Sequence, residues 1–232
     1  MIEIRVLASG STGNCYVLDD GQAPLLLEAG IRFPLIQQGL NFGVSGLAGC
    51  LVTHLHSDHS KSVKKLMEAG VDVYMSQPTA EALKLSGHRL HEISEGQLFN
   101  VGSWAVKAFA VEHDAEGALG FFMASRGETV LYITDSGYVR QRFSGVNYLL
   151  IEANFDEDII RENVASGEVD RMVKRRTYAN HMSLQRVASF LHANDLSALR
   201  EVHLLHLSEK NSSADDFKLA VQRITGCPVY IA

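Results

Sequence analysis

Residues 51–60 contain a dense group of metal-binding side chains: Leu51-Val52-Thr53-His54-Leu55-His56-Ser57-Asp58-His59-Ser60. In an extended segment, side chains at positions i and i+2 point the same way, so His54 and His56 can bind one ion together. Asp58 and His59 lie where a helix is expected to begin, and they face a second point close by. Imidazole nitrogen and carboxylate oxygen suit zinc, manganese or iron. The stretch therefore predicts a metal site.

Composition indicates an ordinary globular protein. Its 232 residues are enough for a sizeable core, and 46% are hydrophobic while 21% are charged. The net charge of −6 gives no overall attraction to nucleic acid. Any phosphate-binding surface must therefore be local.

The cysteines and the N-terminus predict a cytoplasmic protein without a membrane partner. Cys15, Cys50 and Cys227 are odd in number and form no C-x-x-C pair, as in proteins of a reducing compartment. The sequence opens directly as a strand, without the apolar segment of a signal peptide. No apolar run approaches the length needed to span a bilayer.

The order of predicted elements indicates two similar halves. Strands with interspersed helices occur once and then again, which suits two sheets packed face to face with helices outside. Helices are expected over 59–69 and over 79–85, the second with Thr79 as N-cap. Residues 154–182 are polar and lack clear periodicity. We expect one domain over 1–232, with a break between halves near 110–120.

The motif His54-x-His56-x-Asp58-His59 after a strand resembles the signature of the metallo-β-lactamase-fold hydrolases. The remaining ligand positions of that family match residues that each follow an apolar run, namely His113, Asp135 and His206. The opening segment 8–16 and the closing segment 206–211 resemble the YycJ/WalJ subgroup of nucleases. The resemblance implies an α/β (α+β) fold, an αββα sandwich of two mixed β-sheets with a two-metal site at one edge.

The resemblance also implies how two divalent ions, Zn²⁺ or Mn²⁺, are held. One ion would be bound by His54, His56 and His113, the second by Asp58, His59 and His206, with Asp135 bridging. Three protein ligands and a shared carboxylate oxygen leave each ion room for a bridging hydroxide and the substrate. Coordination can lower the pKa of water from about 15.7 to about 7, so no separate protein base is needed.

Asp58 and His181 are the predicted catalytic residues. His181, before Met182-Ser183, matches a histidine that lies beside the metals in YycJ-like relatives, where it would bind the scissile phosphate or protonate the leaving oxygen. The alternative is a surface histidine near a helix start. Glu28 stands where relatives carry aspartate before Ala-Gly, and we expect it to orient a histidine. Ser62 stands where the family motif has glycine.

Two further segments are candidate substrate contacts. The small residues from Ser9 to Asn14 would let the backbone approach the pocket, so Ser9 and Asn14 are predicted to bind substrate, although a plain hairpin turn is equally compatible. A basic cluster contains Arg175 and Arg176 and precedes His181. Charge runs are usually solvated surface, but this one could hold a nucleic-acid backbone.

The predicted function is a dinuclear-metal-dependent phosphodiesterase, foremost a DNA exonuclease. Secreted β-lactamases need a signal peptide, glyoxalase-type thioesterases a helical C-terminal domain, and β-CASP nucleases a large insertion, and none of these is recognised in the sequence. One alternative is a hydrolase of a small phosphodiester or ester such as a cyclic nucleotide. Another is a metal-binding module without activity, for which Glu28 and Ser62 would be signs of decay.

Overall fold

The computed structural model describes residues 1–232. The chain divides into two compact units. The first comprises Met1–Ala110 with Ala115–Glu128, and the second comprises Val111–Asp114 with Thr129–Ala232. The expectation of one domain with a break near 110–120 stays a prediction.

The first unit is built on a six-stranded mixed sheet whose strands lie in chain order. The first two pairings are antiparallel and the next three parallel. The strands are β1 Glu3–Ala8, β2 Cys15–Asp19, β3 Leu25–Leu27, β4 Gly49–Leu51, β5 Val73–Ser76 and β6 Leu90–Ile93.

The helices of the first unit are short and cover the apolar sheet. They are α1 Phe33–Gly39, a 3-10 turn at Val44–Gly46, α2 Ser57–Ser60, α3 Val63–Glu68 and α4 Gln77–Ala82. Ile36 of α1 and Leu66 of α3 are buried in one cluster with Leu26, Cys50 and Val73 of the strands. Near-continuous apolar runs such as β3 are what a parallel strand buried on both faces requires.

Three antiparallel strands complete the first unit: β7 Leu98–Val101, β8 Trp104–Ala110 and β9 Leu119–Ser125. They are tied to the turn after β2. Trp104 Nε1 donates to the Ala23 carbonyl at 3.1 Å. The Asp20 carboxylate, 3% exposed, accepts from the Ser103 and Ser125 hydroxyls and from two backbone N–H groups.

We expect Asp20→Asn to destabilise the protein by about 2 kcal/mol at pH 7. Burial alone would raise the pKa of Asp20, but the hydrogen bonds from Ser103, Ser125, Gln22 and Ala23 lower it to about 2 from 3.8, and a difference of that size corresponds to about 2 kcal/mol. The pKa is depressed in the folded state. The stabilisation is therefore full above pH ~4 and is lost as the pH falls towards 2.

Urea unfolding of the wild type and the variant at pH 7 and near pH 2.5 measures this effect. The control is Asp19→Asn, because the Asp19 carboxylate accepts only from the exposed Gly21 N–H. A gap between wild type and Asp20→Asn that does not shrink at the lower pH would show that the ionised carboxylate is not the source of the stability.

The second unit is built on four parallel strands. They are β10 Glu128–Ile133, β11 Tyr148–Glu152, β12 Glu201–Leu205 and β13 Val229–Ile231, paired in that order. Its helices are α5 Glu157–Ser166, α6 Arg171–Asn180, α7 Leu184–Ala193 and α8 Ala214–Thr225. The carboxyl ends of neighbouring parallel strands lie at the same edge of a sheet. Residues that follow β10, β11 and β12 therefore come close together.

Residues 154–182, whose sequence shows no clear periodicity, contain α5 and α6. Asp156 caps α5 by accepting from two backbone N–H groups, and Asp170 caps α6 through Met172 N–H. Gly167 ends α5 in the left-handed conformation. The capping residues were visible in the sequence, whereas the apolar stripe was too sparse to show a period.

Two helix boundaries also differ from expectation. The helix predicted over 59–69 is divided into α2 and α3 at Ser62, whose backbone leaves helical geometry with φ −110° and ψ 7°. The Ser62 hydroxyl donates to the Ile31 carbonyl at 2.5 Å. The N-cap predicted at Thr79 is wrong, because the Ser76 hydroxyl accepts from Thr79 N–H. No helix of the chain combines the length and the apolar character needed to cross a bilayer.

Candidate metal centre

The loop between β4 and α2 brings the histidines of the motif together in the first unit. His54 Nε2 lies 3.1 Å from His56 Nδ1, and the His54 and His59 ring centroids are 4.2 Å apart. Asp58 Oδ2 lies 3.4 Å from His59 Nε2. Ligand atoms bound tetrahedrally at about 2.0–2.1 Å are separated by roughly 3.3 Å, so these side chains fit a divalent ion.

Buried neighbours fix the orientation of these rings. Thr53 Oγ1 lies 2.9 Å from His54 Nδ1, which leaves Nε2 as the ligand atom. Glu28 is fully buried; its Oε1 lies 3.5 Å from His59 Nδ1 and its Oε2 accepts from Thr53 N–H at 3.3 Å. These contacts support the orienting role predicted for Glu28.

Backbone contacts hold the motif against the segment after β3. Asn14 N–H donates to the Asp58 carbonyl at 2.7 Å, and Ala29 N–H donates to the His59 carbonyl at 2.8 Å. A Cβ placed on Gly30 would lie 1.6 Å from the Asp58 carbonyl oxygen. Only glycine allows this approach, which explains the Ala29-Gly30 pair.

In the second unit, Asp135, Glu152 and His206 follow or end three neighbouring parallel strands, and His181 follows α6. One ligand atom from each of the four side chains lies within 4.8 Å of the others. His206 Nδ1 is 3.0 Å from Asp135 Oδ1 and 3.0 Å from Glu152 Oε1. Two carboxylates and two imidazoles form a second donor set that suits zinc or manganese.

Glu152 is the centre of this second cluster. Its Oε1 lies 2.7 Å from His181 Nδ1, and its Oε2 accepts from the backbone N–H groups of Ser136 and Met182, both at 3.1 Å. The side chain is 0% exposed. Glu152 is not among the site residues predicted from the sequence; the available signal is a charged residue at the end of the apolar run Tyr148–Glu152.

The charges of the second cluster stabilise one another. Burial opposes ionisation of Glu152, but the adjacent His181 and His206 lower its pKa overall. Burial likewise opposes protonation of the histidines, yet Glu152 raises the pKa of His181, and Asp135 with Glu152 raises the pKa of His206 to about 10. The carboxylates are thus held ionised, which is the form that binds a cation.

His113 lies beside this cluster within the second unit. Its Nδ1 is 3.2 Å from the Asn180 carbonyl and its Nε2 is 3.3 Å from Asp114 Oδ1. The His113 and His181 ring centroids are 6.1 Å apart. Asn180 also donates to Asp114 Oδ2 at 2.7 Å, so the end of α6 anchors the 111–114 segment.

A family model described as "Beta-lactamase superfamily domain" matches residues 26–206. The chain belongs to this superfamily. That membership confirms the expected metal-dependent hydrolase class, and the predicted resemblance to YycJ/WalJ is confirmed by curated relatives.

Two relatives are similar in sequence to this chain over most of their length. Exodeoxyribonuclease WalJ of Streptococcus pneumoniae serotype 2 (strain D39 / NCTC 7466) is 29% identical over 224 residues, covering 89% of this chain and 82% of that protein. Exodeoxyribonuclease YycJ of Bacillus anthracis is 27% identical over 241 residues, covering 96% and 89%.

A solved structure confirms the fold class of the superfamily member. The metallo-beta-lactamase fold protein YhfI from Bacillus subtilis superposes with a TM-score of 0.75 at 16% identity, covering 100% of this chain and 97% of that one. The predicted α/β fold class is therefore correct.

Three site residues of the superfamily member have backbones in the left-handed region: Glu28 (φ 63°), Asp135 (φ 42°) and His206 (φ 55°). Each lies one or two residues beyond the end of a strand. Such conformations are uncommon outside glycine and cluster at functional sites, where surrounding contacts maintain them. Sequence patterns contain no signal for this feature.

The predicted substrate residues differ in accessibility. Ser9 accepts from the Tyr16 hydroxyl at 2.9 Å. Asn14 is fully buried, and its amide contacts Gly10 and His59, which favours a role in orienting His59. Arg175 and Arg176 are exposed on α6, and Arg176 Nε lies 3.9 Å from Asp114 Oδ2.

Proposed function

We propose that the chain is a dinuclear-metal-dependent phosphodiesterase and, more specifically, a DNA exonuclease. The observation that carries the proposal is the cluster of Asp135, Glu152, His181 and His206, which combines metal ligands with a partly exposed histidine. The names of the relatives WalJ and YycJ, both exodeoxyribonucleases, support the choice of DNA.

The proposed ligands divide into two sets with a shared carboxylate. His54, His56 and His113 would hold one Zn²⁺ or Mn²⁺ ion, and Asp58, His59 and His206 the other, with Asp135 common to both. Bound divalent ions neutralise charge on the phosphate and lower the pKa of coordinated water. Glu28, Thr53 and Glu152 orient the imidazoles through the contacts described above.

His181 is the proposed acid of the reaction. Its side chain is 22% exposed, whereas those of Asp135, Glu152 and His206 are almost fully buried. Burial opposes the charged form, but Glu152 raises the pKa of His181, which favours the protonated ring that a general acid needs. A protonated imidazole can hydrogen-bond the scissile phosphate or protonate the leaving oxygen.

The proposed DNA contact is the exposed face of α6, the helix that ends directly before His181. Arg175 and Arg176 would follow the phosphate backbone there. Because the net charge of the chain is −6, attraction to DNA has to come from such a local group of cations.

Replacing both Arg175 and Arg176 with glutamine should weaken DNA binding. We expect the slope of log K against log salt concentration to fall by between about 1 and 2, since each lost phosphate contact removes about 0.7 to 0.9. Fluorescence anisotropy with a labelled oligonucleotide measures the slope. The control is Arg161→Gln, an exposed α5 residue paired with Asp158 at 2.8 Å. An unchanged slope in the double variant would show that Arg175 and Arg176 do not contact DNA and that this face of α6 is only solvated surface.

The direct test of the function uses protein reconstituted with two equivalents of Mn²⁺ or Zn²⁺. We expect a 5′-labelled or 3′-labelled oligonucleotide to be shortened progressively from one end. If both DNA and bis(p-nitrophenyl) phosphate stay intact with either metal, the phosphodiesterase proposal is wrong.

A hydrolase of a small phosphodiester or ester is the second candidate, because the net charge of −6 counts against a polyanionic substrate such as DNA. A salt series separates the two, because DNA affinity falls steeply with salt whereas turnover of a small ester does not. Cleavage of a cyclic nucleotide without cleavage of DNA would support this candidate.

A further inference from the structure

A cavity of about 310 Å³ lies in the second unit, and nothing in the proposed metal chemistry uses it. Its lining includes Tyr138, Val139, Arg142, Met182, Arg186 and Phe190. The volume is at the small end of the range of about 300 to 1,000 Å³ that is typical of ligand pockets. The lining combines two aromatic rings and apolar side chains with two guanidinium groups.

The lining residues are adjacent in sequence to the proposed catalytic cluster. Tyr138 follows Asp135 by three residues, and Met182 directly follows His181. We propose that this cavity binds one nucleobase of the substrate, with Tyr138 stacking on the base and Arg142 contacting its phosphate. The proposal rests on the proposed phosphodiesterase function and names a subsite of it.

Tyr138 has a fixed backbone and an accessible ring. Its carbonyl accepts from the Ser136 hydroxyl at 2.8 Å and from Glu112 N–H at 3.3 Å. The residue is nevertheless 50% exposed, which is unusual for a large aromatic side chain in an anchored loop. An accessible ring on an anchored backbone is an arrangement on which a base can stack without sequence preference.

Arg142 and Arg186 have guanidinium N–H groups that donate no hydrogen bond within the protein. The side-chain hydrogen bonds of Arg186 all use Nη1, which donates to the carbonyls of Gly137 and Tyr178 at 2.8 Å and to that of His181 at 3.5 Å. Its Nε and Nη2 hydrogens therefore stay available. Arg142 is exposed and has no ion pair, whereas the nearby Arg140 is paired with Glu112 at 2.7 Å. Arg142 is thus an exposed cation at this cavity without a carboxylate partner.

Calorimetric titration of the Mn²⁺-loaded protein with dAMP and with 2-deoxyribose 5-phosphate tests the pocket without requiring turnover. Base–aromatic stacking contributes about tenfold or more in affinity, so dAMP should bind about tenfold more tightly than the sugar phosphate. Tyr138→Ala should abolish that difference, and Tyr138→Phe should retain it. Arg142→Gln should weaken both ligands, whereas the matched control Arg140→Gln should weaken neither.

Oligonucleotides with and without abasic sites at the terminal three positions provide the second arm. Wild-type protein should cleave the base-containing strand with about tenfold higher kcat/KM, mainly through KM, and Tyr138→Ala should treat the two strands alike. Equal dAMP affinity in wild type and Tyr138→Ala would overturn the pocket. If dAMP binding depends on Tyr138 while DNA stays intact, the cavity binds a nucleobase but the exonuclease proposal is wrong.

Discussion

Asp135→Asn should reduce phosphodiester hydrolysis by about a thousandfold and lower the metal content of the purified protein. The substitution keeps the shape of the side chain but removes the charge that two cations would share, and a lost metal interaction of several kcal/mol has this effect on rate. In the folded chain Asp135 is buried, 3.0 Å from His206 Nδ1, so no water can replace the missing carboxylate oxygen without rearrangement.

The measurement for Asp135 pairs kcat/KM on a labelled oligonucleotide with metal analysis of the same sample. Asp72→Asn is the matched control, because Asp72 also faces a histidine, His91 at 3.2 Å, but belongs to neither cluster. Full metal content together with wild-type turnover in Asp135→Asn would show that Asp135 is not a metal ligand.

Glu152→Gln should weaken metal binding and reduce turnover by about 10- to 100-fold, the range found when a group that orients a metal ligand is replaced. The glutamine side chain has one oxygen instead of two, whereas Glu152 contacts His181, His206 and two backbone N–H groups. The variant leaves at least one of these buried donors without an acceptor.

The matched control for Glu152 is Glu201→Gln. Glu201 lies on the neighbouring strand β12 and faces His203 at 3.3 Å, outside both clusters. Competition with a chromogenic chelator gives the metal affinity, and urea unfolding shows whether the variant remains folded. Glu152→Gln with the metal affinity and turnover of Glu201→Gln would contradict the positioning role.

The sequence predicts those parts of the site in which the spacing of residues along one strand or loop determines where the side chains point. The alternation of His54 and His56 along an extended segment predicted that the two side chains point the same way. In the structure His54 Nε2 lies 3.1 Å from His56 Nδ1. The apolar runs before Asp135 and His206 predicted strand ends, and the structure brings these two residues together within the second unit. These inferences depend on local geometry, which the order of residues specifies directly.

The parts that the sequence did not predict depend on packing. Glu152 has no motif around it, and its role arises because β11 lies between β10 and β12, so that its carboxylate reaches two histidines. The left-handed backbones of Glu28, Asp135 and His206 are likewise maintained by tertiary contacts. Helices α5 and α6 gave no clear helical period in the sequence, because Ile160 is the one buried apolar residue of α5 and α6 buries none.

Electron paramagnetic resonance of the chain reconstituted with Mn²⁺ tests most directly whether His54–His59 and the Asp135–His206 cluster bind one pair of ions. We predict two bound Mn²⁺ per chain with an exchange-coupled signal, which Asp135→Asn converts to uncoupled ions or abolishes. A single bound Mn²⁺, or two ions with isolated spectra in the wild-type protein, would contradict a shared dinuclear centre.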